Sequence, residues 1–427
     1  MKTLDKLFIS FMLLLQINFF DLINTQTSFL ASFTSYSQKK LLLVVAFVYM
    51  FIRNAVYGID YKRKKNYTFF VVLFLVSWAA ILLATVTTYG QSVVKTFFVS
   101  YYFLLLILYF PLSEVLSSKE SWGVLIKIFS NLAFILSMVK IFQSLMISKL
   151  GKVFFFMSNN DYVTATSLRF VKLGFTRMPS PTDFVFIALL LMLLSIIADL
   201  KVFTQWRYAL YIGIYVIFIF LVGQTRSYII MTILVLLLYI LWLINKYFGK
   251  DLVILTLGIL TVPVLYFVVK FIMNIIFGNS SRGISLSIRQ EAVKYYMQNI
   301  SMHKWFSIGF ARDDIFSDLV HNKHIDFVGN VYSYNYDDVG MVGLIAQYGW
   351  LGVVNIFIYF LTTISIYIKS HSKYLLLIVF VLLFGSWIST SLFDPQRILY
   401  LPLLLVLIDS ISDGTLEVDF NGGNGRV

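Results

Sequence analysis

Long apolar runs restrict the fold of this chain more than any other feature. Stretches of about 20 mostly apolar residues recur along the whole sequence, and a helix needs that length to cross the hydrocarbon core of a bilayer. Only helices and closed barrels satisfy their backbone groups inside a bilayer. The runs lack the alternating pattern of barrel strands, and the 427 residues include only six Pro, so long helices are favoured.

The runs predict an all-α polytopic integral membrane protein with about twelve transmembrane helices. Soluble classes are excluded because charged residues make up 13% of the chain, against about 25% in an ordinary soluble domain. The absence of Cys excludes disulfides, Cys-bound metals and thiol nucleophiles. The predicted spans lie near 7–24, 41–57, 68–88, 94–112, 124–147, 183–200, 208–222, 228–245, 252–277, 340–367, 374–390 and 396–411.

The distribution of Lys and Arg predicts the orientation of these spans. An even number of spans puts both termini on one side, and the positive-inside rule selects the cytoplasm for them. The short loops of that side carry Lys2, Lys6, Arg53, Lys62, Arg63, Lys64, Lys65, Lys119, Lys127, Lys201, Arg207, Lys246, Lys250, Lys369 and Lys373. The opposite short connections carry only Lys39, Lys40, Lys95, Arg226 and Arg397. We therefore expect a multi-pass protein of the cytoplasmic membrane with cytoplasmic termini.

Two longer segments then lie on the extracytoplasmic side. Helices 1–9 occupy residues 1–277 and include a smaller outer loop at 148–182, while 278–339 forms a large loop between helices 9 and 10. Helices 10–12 occupy 340–411, and 412–427 is a cytoplasmic tail. Within the large loop, Ser287–Ile300 has the periodicity of an amphipathic helix, with Ile288, Ala292, Tyr295, Tyr296 and Asn299 near one face.

Five arginines on the outer side are candidate ligands for a phosphorylated lipid headgroup. Arg226 lies in a short polar break between two apolar runs, where a guanidinium is costly unless it is paired or lines a wet cavity. Arg282 and Arg289 are seven residues apart in the large loop, so a helix would place them on one face. Arg169 and Arg177 flank a glycine in the smaller loop. Guanidinium groups suit phosphate, but helix-end snorkelling or a solvated helix face would explain the same residues.

An acidic pair and a histidine pair complete the candidates. Asp337 and Asp338 precede the tenth span, where a carboxylate can cap a helix N-terminus or act as a general base on an acceptor hydroxyl. His321 and His324 have weak metal-ligand spacing without a third ligand, so no metal site is predicted. The sequence has no phosphate-binding glycine loop for a nucleotide, and we expect no cofactor and no nucleic-acid partner.

Several short motifs, in their order, resemble those of the bacterial repeat-unit polymerases (Wzy) of the O-antigen polymerase and ligase superfamily. The topology resembles that family over nearly the whole chain, and the motifs do so over roughly 169–352. The motifs are Arg169–Gly174 with Pro179-Ser180-Pro181; Gln224-Thr225-Arg226-Ser227; Ser281-Arg282 with Ile288–Ala292, Trp305 and Ile308-Gly309-Phe310; and Asp338-Val339-Gly340 with Gly343, Gln347 and Gly349-Trp350-Leu351-Gly352.

The resemblance implies a GT-C-like membrane fold and a metal-independent glycosyltransferase that joins oligosaccharide units carried on undecaprenyl pyrophosphate. It implies catalytic roles for Asp338 and Arg289, and binding of pyrophosphate or glycan by Arg226, Arg282, Arg177 and Arg169. Membrane lipid, a chain-length regulator and a flippase are the partners it suggests. The product would be O-antigen, capsule or exopolysaccharide.

Two other activities remain open from the sequence. The first is a ligase that transfers finished glycan to an acceptor. Ligases of the family carry a His just before the Gly-x-x-Gly run, where this chain has Asp338, so polymerase is favoured. The second is a flippase for the same lipid-linked unit, which predicts charged groups near the bilayer midplane. The sequence alone indicates no convincing midplane carboxylate, although Asp183 and Lys140 lie in or at the ends of spans.

Overall fold

The structure, a computed structural model, is a helical bundle with two small hairpins. It describes residues 1–21, 39–58, 65–155, 171–179, 181–248, 270, 281–302, 305–325, 331–370, 372–388 and 390–416. Its helices are α1 (Thr3–Gln16), α2 (Lys40–Tyr57), α3 (Thr68–Tyr89), α4 (Val93–Ser100), α5 (Tyr109–Val115), α6 (Lys119–Leu150), α7 (Thr182–Ile197), α8 (Gln205–Ile217), α9 (Arg226–Phe248), α10 (Ser281–Met302), α11 (Asp313–His321), α12 (Met341–Lys369), α13 (Lys373–Ile388) and α14 (Tyr400–Ser412).

Shorter elements connect the helices. A 3-10 helix, Tyr101–Leu108, joins α4 to α5, and a π-helix, Phe218–Gly223, extends α8. Strands β1 (Val171–Lys172) and β2 (Phe175–Thr176) form one antiparallel hairpin, and β3 (Lys323–Ile325) and β4 (Val331–Ser333) form another. A 3-10 turn, Tyr336–Asp338, leads into α12.

The outward faces of the helices confirm that the protein is embedded in a membrane. Seven described helical segments are long and apolar enough to span a bilayer, and three shorter apolar helices accompany them. On α2, Val44, Phe47 and Phe51 are exposed at helical spacing, while Ala46 and Tyr49 face the interior and are buried. An outward face made of apolar side chains fits lipid rather than water as the surrounding solvent.

Two predicted span boundaries are wrong. The first span was expected over 7–24, but α1 ends at Gln16, and Asn18, Phe19 and Phe20 have positive φ. The helix stops there because residues with positive φ cannot continue a right-handed helix, and the Gln16 side chain forms hydrogen bonds inside the bundle. The last span was expected from 396, but α14 begins at Tyr400 because the preceding residues form a hydrogen-bonded turn. The ninth predicted span, 252–277, lies outside the described residues apart from Lys270.

One end of the bundle is held by a network of ion pairs and is called here the ion-pair end. Arg53 contacts Glu114 at 2.5 Å and Asp5 at 3.7 Å, and Lys65 contacts Glu114 at 3.2 Å. The neighbouring Asn66 donates to Asp409 of α14 at 2.8 Å. Helix α1 therefore begins, and α14 ends, at the same end of the bundle.

We expect Glu114→Gln to lower the free energy of unfolding by about 3–5 kcal/mol, because it removes the carboxylate shared by Arg53 and Lys65 and leaves the buried Arg53 with only Asp5, at 3.7 Å. Thermal unfolding of the purified protein in detergent would measure this change. The control is Glu120→Gln, since Glu120 is exposed on α6. Equal unfolding temperatures for the two variants would contradict a stabilising role for the network.

The opposite end carries the hairpins and the helices of the large loop and is called the loop end. Gln91, just after α3, donates to the carbonyl of Phe310 at 2.8 Å, and Ser144 near the end of α6 donates to the carbonyl of Thr176 at 2.7 Å. These contacts fix both loop segments directly on the helix ends.

Helix α10 covers the loop end with a small core of its own. The predicted amphipathic helix is confirmed: Ala292 and Tyr296 are buried, and Ile288 and Tyr295 pack beside them. The Tyr296 hydroxyl donates to the carbonyl of Val320 at 2.9 Å. The loop layer is thus packed by side chains rather than held only by its termini.

A break in α12 receives the turn that precedes α11. Gly349 has φ +54°, and an added Cβ would overlap the carbonyl of Trp305. That carbonyl accepts the backbone N–H of Trp350 at 2.8 Å, and the N–H of Ile308 donates to Ala346 at 3.1 Å. Two of the short sequence motifs therefore meet in space, and in this structure their contact is architectural.

Candidate functional site

Two short helices form the centre of the bundle. In α7 all but one of 16 residues are buried, and in α14 every residue from Tyr400 to Ile411 is buried. Helix α14 has 13 residues against 22 in α3, so at 1.5 Å per residue it is about 13 Å shorter. Helices α3 and α14 both reach the ion-pair end, where Asn66, just before α3, donates to Asp409 of α14. The start of α14 is consequently recessed below the loop end.

Aromatic contacts fix the depth of this recess. Phe393, in the turn before α14, stacks on Phe74 of α3 with ring centroids 5.5 Å apart. It also meets Tyr359 of α12 at 6.5 Å. Phe74 and Tyr359 lie in the interiors of two long apolar helices. Non-helical backbone at such depth occurs only where protein surrounds it or where it lines a cavity.

The recess holds a cluster of charged side chains, called here the ionic cluster: Asp183, Asp394, Arg397, Tyr228 and Lys39. Arg397 pairs with Asp394, donates from Nε to the Tyr228 hydroxyl at 3.1 Å, and lies 4.0 Å from Asp183 Oδ2. Both carboxylates and Tyr228 are buried. Charged groups at membrane depth are costly, so they usually mark a functional site.

Gln16 and Lys39 secure the turn that carries the cluster. Lys39 Nζ donates to Gln16 Oε1 at 2.8 Å, and Gln16 Nε2 donates to the carbonyl of Gln396 at 2.7 Å and to the Tyr400 hydroxyl at 3.1 Å. The Asp394 carboxylate also accepts the backbone N–H of Gln396 at 2.7 Å. These bonds make the turn a rigid platform, as a preorganised site requires.

The acidic pair belongs to the 3-10 turn Tyr336–Asp338 that leads into α12. Asp338 is exposed and Asp337 is partly buried in the same 3-10 turn. Burial and the neighbouring charge of Asp394 raise the pKa of Asp337 to about 8, against an opposing contribution from Arg397. Sequence reasoning selected Asp338 as the base, and the structure distinguishes the pair by burial, because Asp337 is partly buried and Asp338 is exposed.

The candidate arginines occupy the loop end. Arg226 is exposed at the start of α9, two residues before Tyr228 of the ionic cluster. Arg289 is exposed on α10, and Arg282 belongs to the same helix seven residues earlier. Arg177 is half-buried just after β2, whereas Arg169 lies outside the described residues. Arg226 is therefore the candidate arginine nearest in sequence to the cluster.

Most of the ionic cluster escaped the sequence analysis. Arg397 and Lys39 were counted only as cations of short outer connections, and Asp183 only as a residue at a span end. The available signal was Asp394-Pro395-Gln396-Arg397, a polar break between two apolar runs. It resembles the break around Arg226, but a pairing between Arg397 and Asp183, 214 positions apart, is visible only in the fold.

His321 has a role within the loop layer. Its Nε2 lies 2.7 Å from Asp313 Oδ1, and its Nδ1 lies 2.7 Å from the carbonyl of Tyr334. Among the described residues, no group of three His, Cys, Asp or Glu side chains is arranged to hold a metal ion. The histidine thus joins α11 to the segment after β4.

The ionic cluster places cations and carboxylates together in a buried, low-dielectric recess. Such a site can stabilise negative charge on a leaving group and accept a proton. No protein-family model matches the chain, and no curated protein sequence matches it.

Proposed function

We propose that this membrane protein is a polysaccharide polymerase that joins oligosaccharide units carried on undecaprenyl pyrophosphate. The loop end would face the extracytoplasmic side of the cytoplasmic membrane, with both termini in the cytoplasm. The observation that carries the proposal is the ionic cluster, because buried charges around a non-helical turn at membrane depth provide a site for the charged head of a lipid.

The proposed reaction needs no nucleotide. A sugar hydroxyl of the acceptor attacks the anomeric carbon of the donor, the bond from that carbon to the pyrophosphate oxygen breaks, and the lipid pyrophosphate leaves with the electron pair. Arg226, Arg289, Arg282, Arg177 and Arg169 are the proposed pyrophosphate or glycan ligands. A carboxylate of the pair Asp337 and Asp338 accepts the hydroxyl proton.

The lipid part of the substrate fits the outward surface of the bundle. Helices α2 and α12 expose apolar side chains along their length, including Phe51, Phe357 and Ile368. A polyprenyl tail is as apolar as the surrounding lipid, so it can remain in the bilayer while its head enters the recess. A chain-length regulator and a flippase are the proposed protein partners.

A flippase for the same lipid-linked unit is the second candidate. The buried charges Asp183, Asp394 and Arg397, with Lys140 buried in α6, are also features of transport pathways. A ligase that transfers finished glycan is a third possibility, although the chain has Asp338 where ligases of the family carry a His. Gene deletion separates the three activities by the glycan that accumulates.

Surface glycan of the deletion strain should contain only single repeat units. The wild-type gene should restore glycans of many lengths, which appear as a ladder of bands on a gel. Arg226→Ala, Arg289→Ala and the Asp337→Ala, Asp338→Ala double variant, present at normal levels in the membrane, should fail to restore it. Long glycan retained on the carrier lipid in the deletion strain would indicate a ligase instead. Absence of the unit from the outer leaflet would indicate a flippase.

The raised pKa of Asp337 predicts a pH dependence. A base must be deprotonated, so the transfer rate should rise with pH until Asp337 ionises near pH 8 and then level off. The measurement is the initial rate from pH 6 to pH 9 in proteoliposomes. The Asp337→Asn variant should lose this rise of the rate with pH. The matched comparison, Asp338→Asn, should keep it. If Asp337→Asn keeps the rise, Asp338 or another group is the base.

A further inference from the structure

A cleft at the loop end is lined by none of the residues of the ionic cluster. It has a volume of about 850 Å³ and opens between α4 and α11. Lys95 and Phe98 of α4 form one wall. The other wall contains Arg312 with the first residues of α11, Asp313 and Asp314. This volume is in the range of small-molecule sites, which span about 300–1,000 Å³.

The α11 wall of the cleft is held in one geometry. The His321 ring is fixed between Asp313 and the Tyr334 carbonyl, as described above. Arg312 donates from Nε to Asp314 Oδ1 at 3.0 Å, and its backbone N–H donates to Gln91 at 3.3 Å. Such bonds fix the polar side chains before a ligand arrives, which lowers the entropy cost of binding.

The charges of the cleft argue against a phosphate ligand. Arg312 already pairs with Asp314, and the His321 ring contacts Asp313, so Lys95 is the lining residue left to attract an anion against two carboxylates. The carboxylates are 63% and 66% exposed and would repel an anion that enters the cleft. A free lipid tail is equally unsuited, because carboxylate and hydroxyl groups line the walls.

A ligand rich in hydroxyl groups matches the hydrogen-bonding groups and the aromatic ring that line the cleft. An ionised carboxylate accepts about four hydrogen bonds, so Asp313 and Asp314 keep capacity beyond their cation partners. Ser317 and Ser333 line the same cleft and can donate or accept. Phe98 is half-exposed and offers an apolar ring beside these polar groups. The combination of acceptors, hydroxyls and one aromatic face suits a carbohydrate.

The cleft adjoins the ionic cluster through consecutive residues of the chain. Lys40 Nζ lies 5.2 Å from the ring centroid of Phe98 in the cleft. Its neighbour Lys39 belongs to the ionic cluster, and the Lys39 N–H donates to the Tyr101 hydroxyl at 2.8 Å. A glycan in the cleft would thus lie beside the recess that is proposed to hold the reacting ends.

We propose that this cleft binds the growing glycan chain through its sugar hydroxyls, away from the reacting end. The inference rests on the proposed polymerase function and assigns that function a second, separate subsite. Binding there would keep a long acceptor on the enzyme between additions, so the cleft would govern product length rather than the first transfer.

Binding can be measured without any transfer. The probe is the lipid-free oligosaccharide released from the surface glycan of the source strain, titrated into the purified full chain in detergent. We expect saturable binding that falls at least fivefold in Ser317→Trp, where the indole fills the cleft, and in Asp314→Asn. Ile315→Trp is the matched control, because Ile315 is exposed on α11 but does not line the cleft. Unchanged binding in Ser317→Trp, or displacement of the oligosaccharide by inorganic pyrophosphate, would overturn the inference.

Product length gives the second test. In the complemented deletion strain, Ser317→Trp should make short glycans in normal total amount, while Ile315→Trp restores the full ladder. A full ladder from Ser317→Trp would overturn the cleft assignment and leave the polymerase proposal standing. A deletion strain that keeps its ladder would defeat the polymerase proposal itself, whatever the oligosaccharide titration gives.

Discussion

Arg397→Gln should lower the rate of glycan transfer by about 100-fold or more, the loss expected when a preorganised cation is removed from a developing negative charge. Without Arg397, Asp183 and Asp394 face each other in the recess with the compensating guanidinium removed. The uncompensated negative charge would oppose the binding of a pyrophosphate. It would also oppose the growth of negative charge on the pyrophosphate as its bond to the anomeric carbon breaks. The initial rate with lipid-linked donor in proteoliposomes measures the effect.

A second variant separates catalysis from folding. Asp394→Asn combined with Arg397→Gln removes one charge of each sign, so it should restore thermal stability that Arg397→Gln loses. The transfer rate should stay low in both. Arg207→Gln, on an exposed residue of α8, is the control that keeps full activity. A double variant with wild-type rate would contradict a role for Arg397 in the reaction.

Gly349→Ala should lower the free energy of unfolding by about 2–4 kcal/mol, the combined cost of a side chain at positive φ and of steric overlap in a packed region. The new methyl group would displace the Trp305 carbonyl and break its bond to the backbone of Trp350. The 305–311 turn would then leave the break in α12. Thermal unfolding in detergent and the rate of proteolysis within this turn measure the two consequences.

Gly213→Ala is the matched control, because an added Cβ at Gly213 in α8 has no atom within 4 Å. Alanine favours a helix over glycine by about 1 kcal/mol, so this variant should be neutral or slightly stabilised. Equal unfolding temperatures for Gly349→Ala and the wild type would show that the motif contact does not stabilise the loop layer.

The sequence predicted the class of fold because apolar runs of span length have few alternatives. The spans expected at 41–57 and 68–88 correspond closely to α2 and α3, and the amphipathic helix over 287–300 lies within α10. The count of about twelve spans remains a prediction, as does the sidedness of the bundle. The length of the apolar runs was sufficient for these spans, and periodicity was sufficient for the amphipathic helix because α10 buries one face.

The ionic cluster required the fold because its members come from distant parts of the chain. Asp183 lies in the first turn of α7, Tyr228 lies in α9, and Arg397 precedes α14, so no local pattern links them. The recess itself depends on the short length of α14. Hydropathy predicted that this span begins at residue 396, four residues before the helix does. Gly349 was noticed as part of a motif, but only the fold explains it, through the docking of a turn more than forty positions earlier at Trp305.

The most direct test uses the purified full chain in liposomes with undecaprenyl-pyrophosphate-linked repeat units isolated from the deletion strain, and no nucleotide. We predict a ladder of joined units and release of one polyprenyl pyrophosphate for each bond formed, with both products nearly abolished by the Asp394→Asn, Arg397→Gln double variant. Units that cross the bilayer and remain single would contradict the polymerase account and identify a transporter. Units that neither join nor cross, in liposomes where the protein is folded, would contradict it as well.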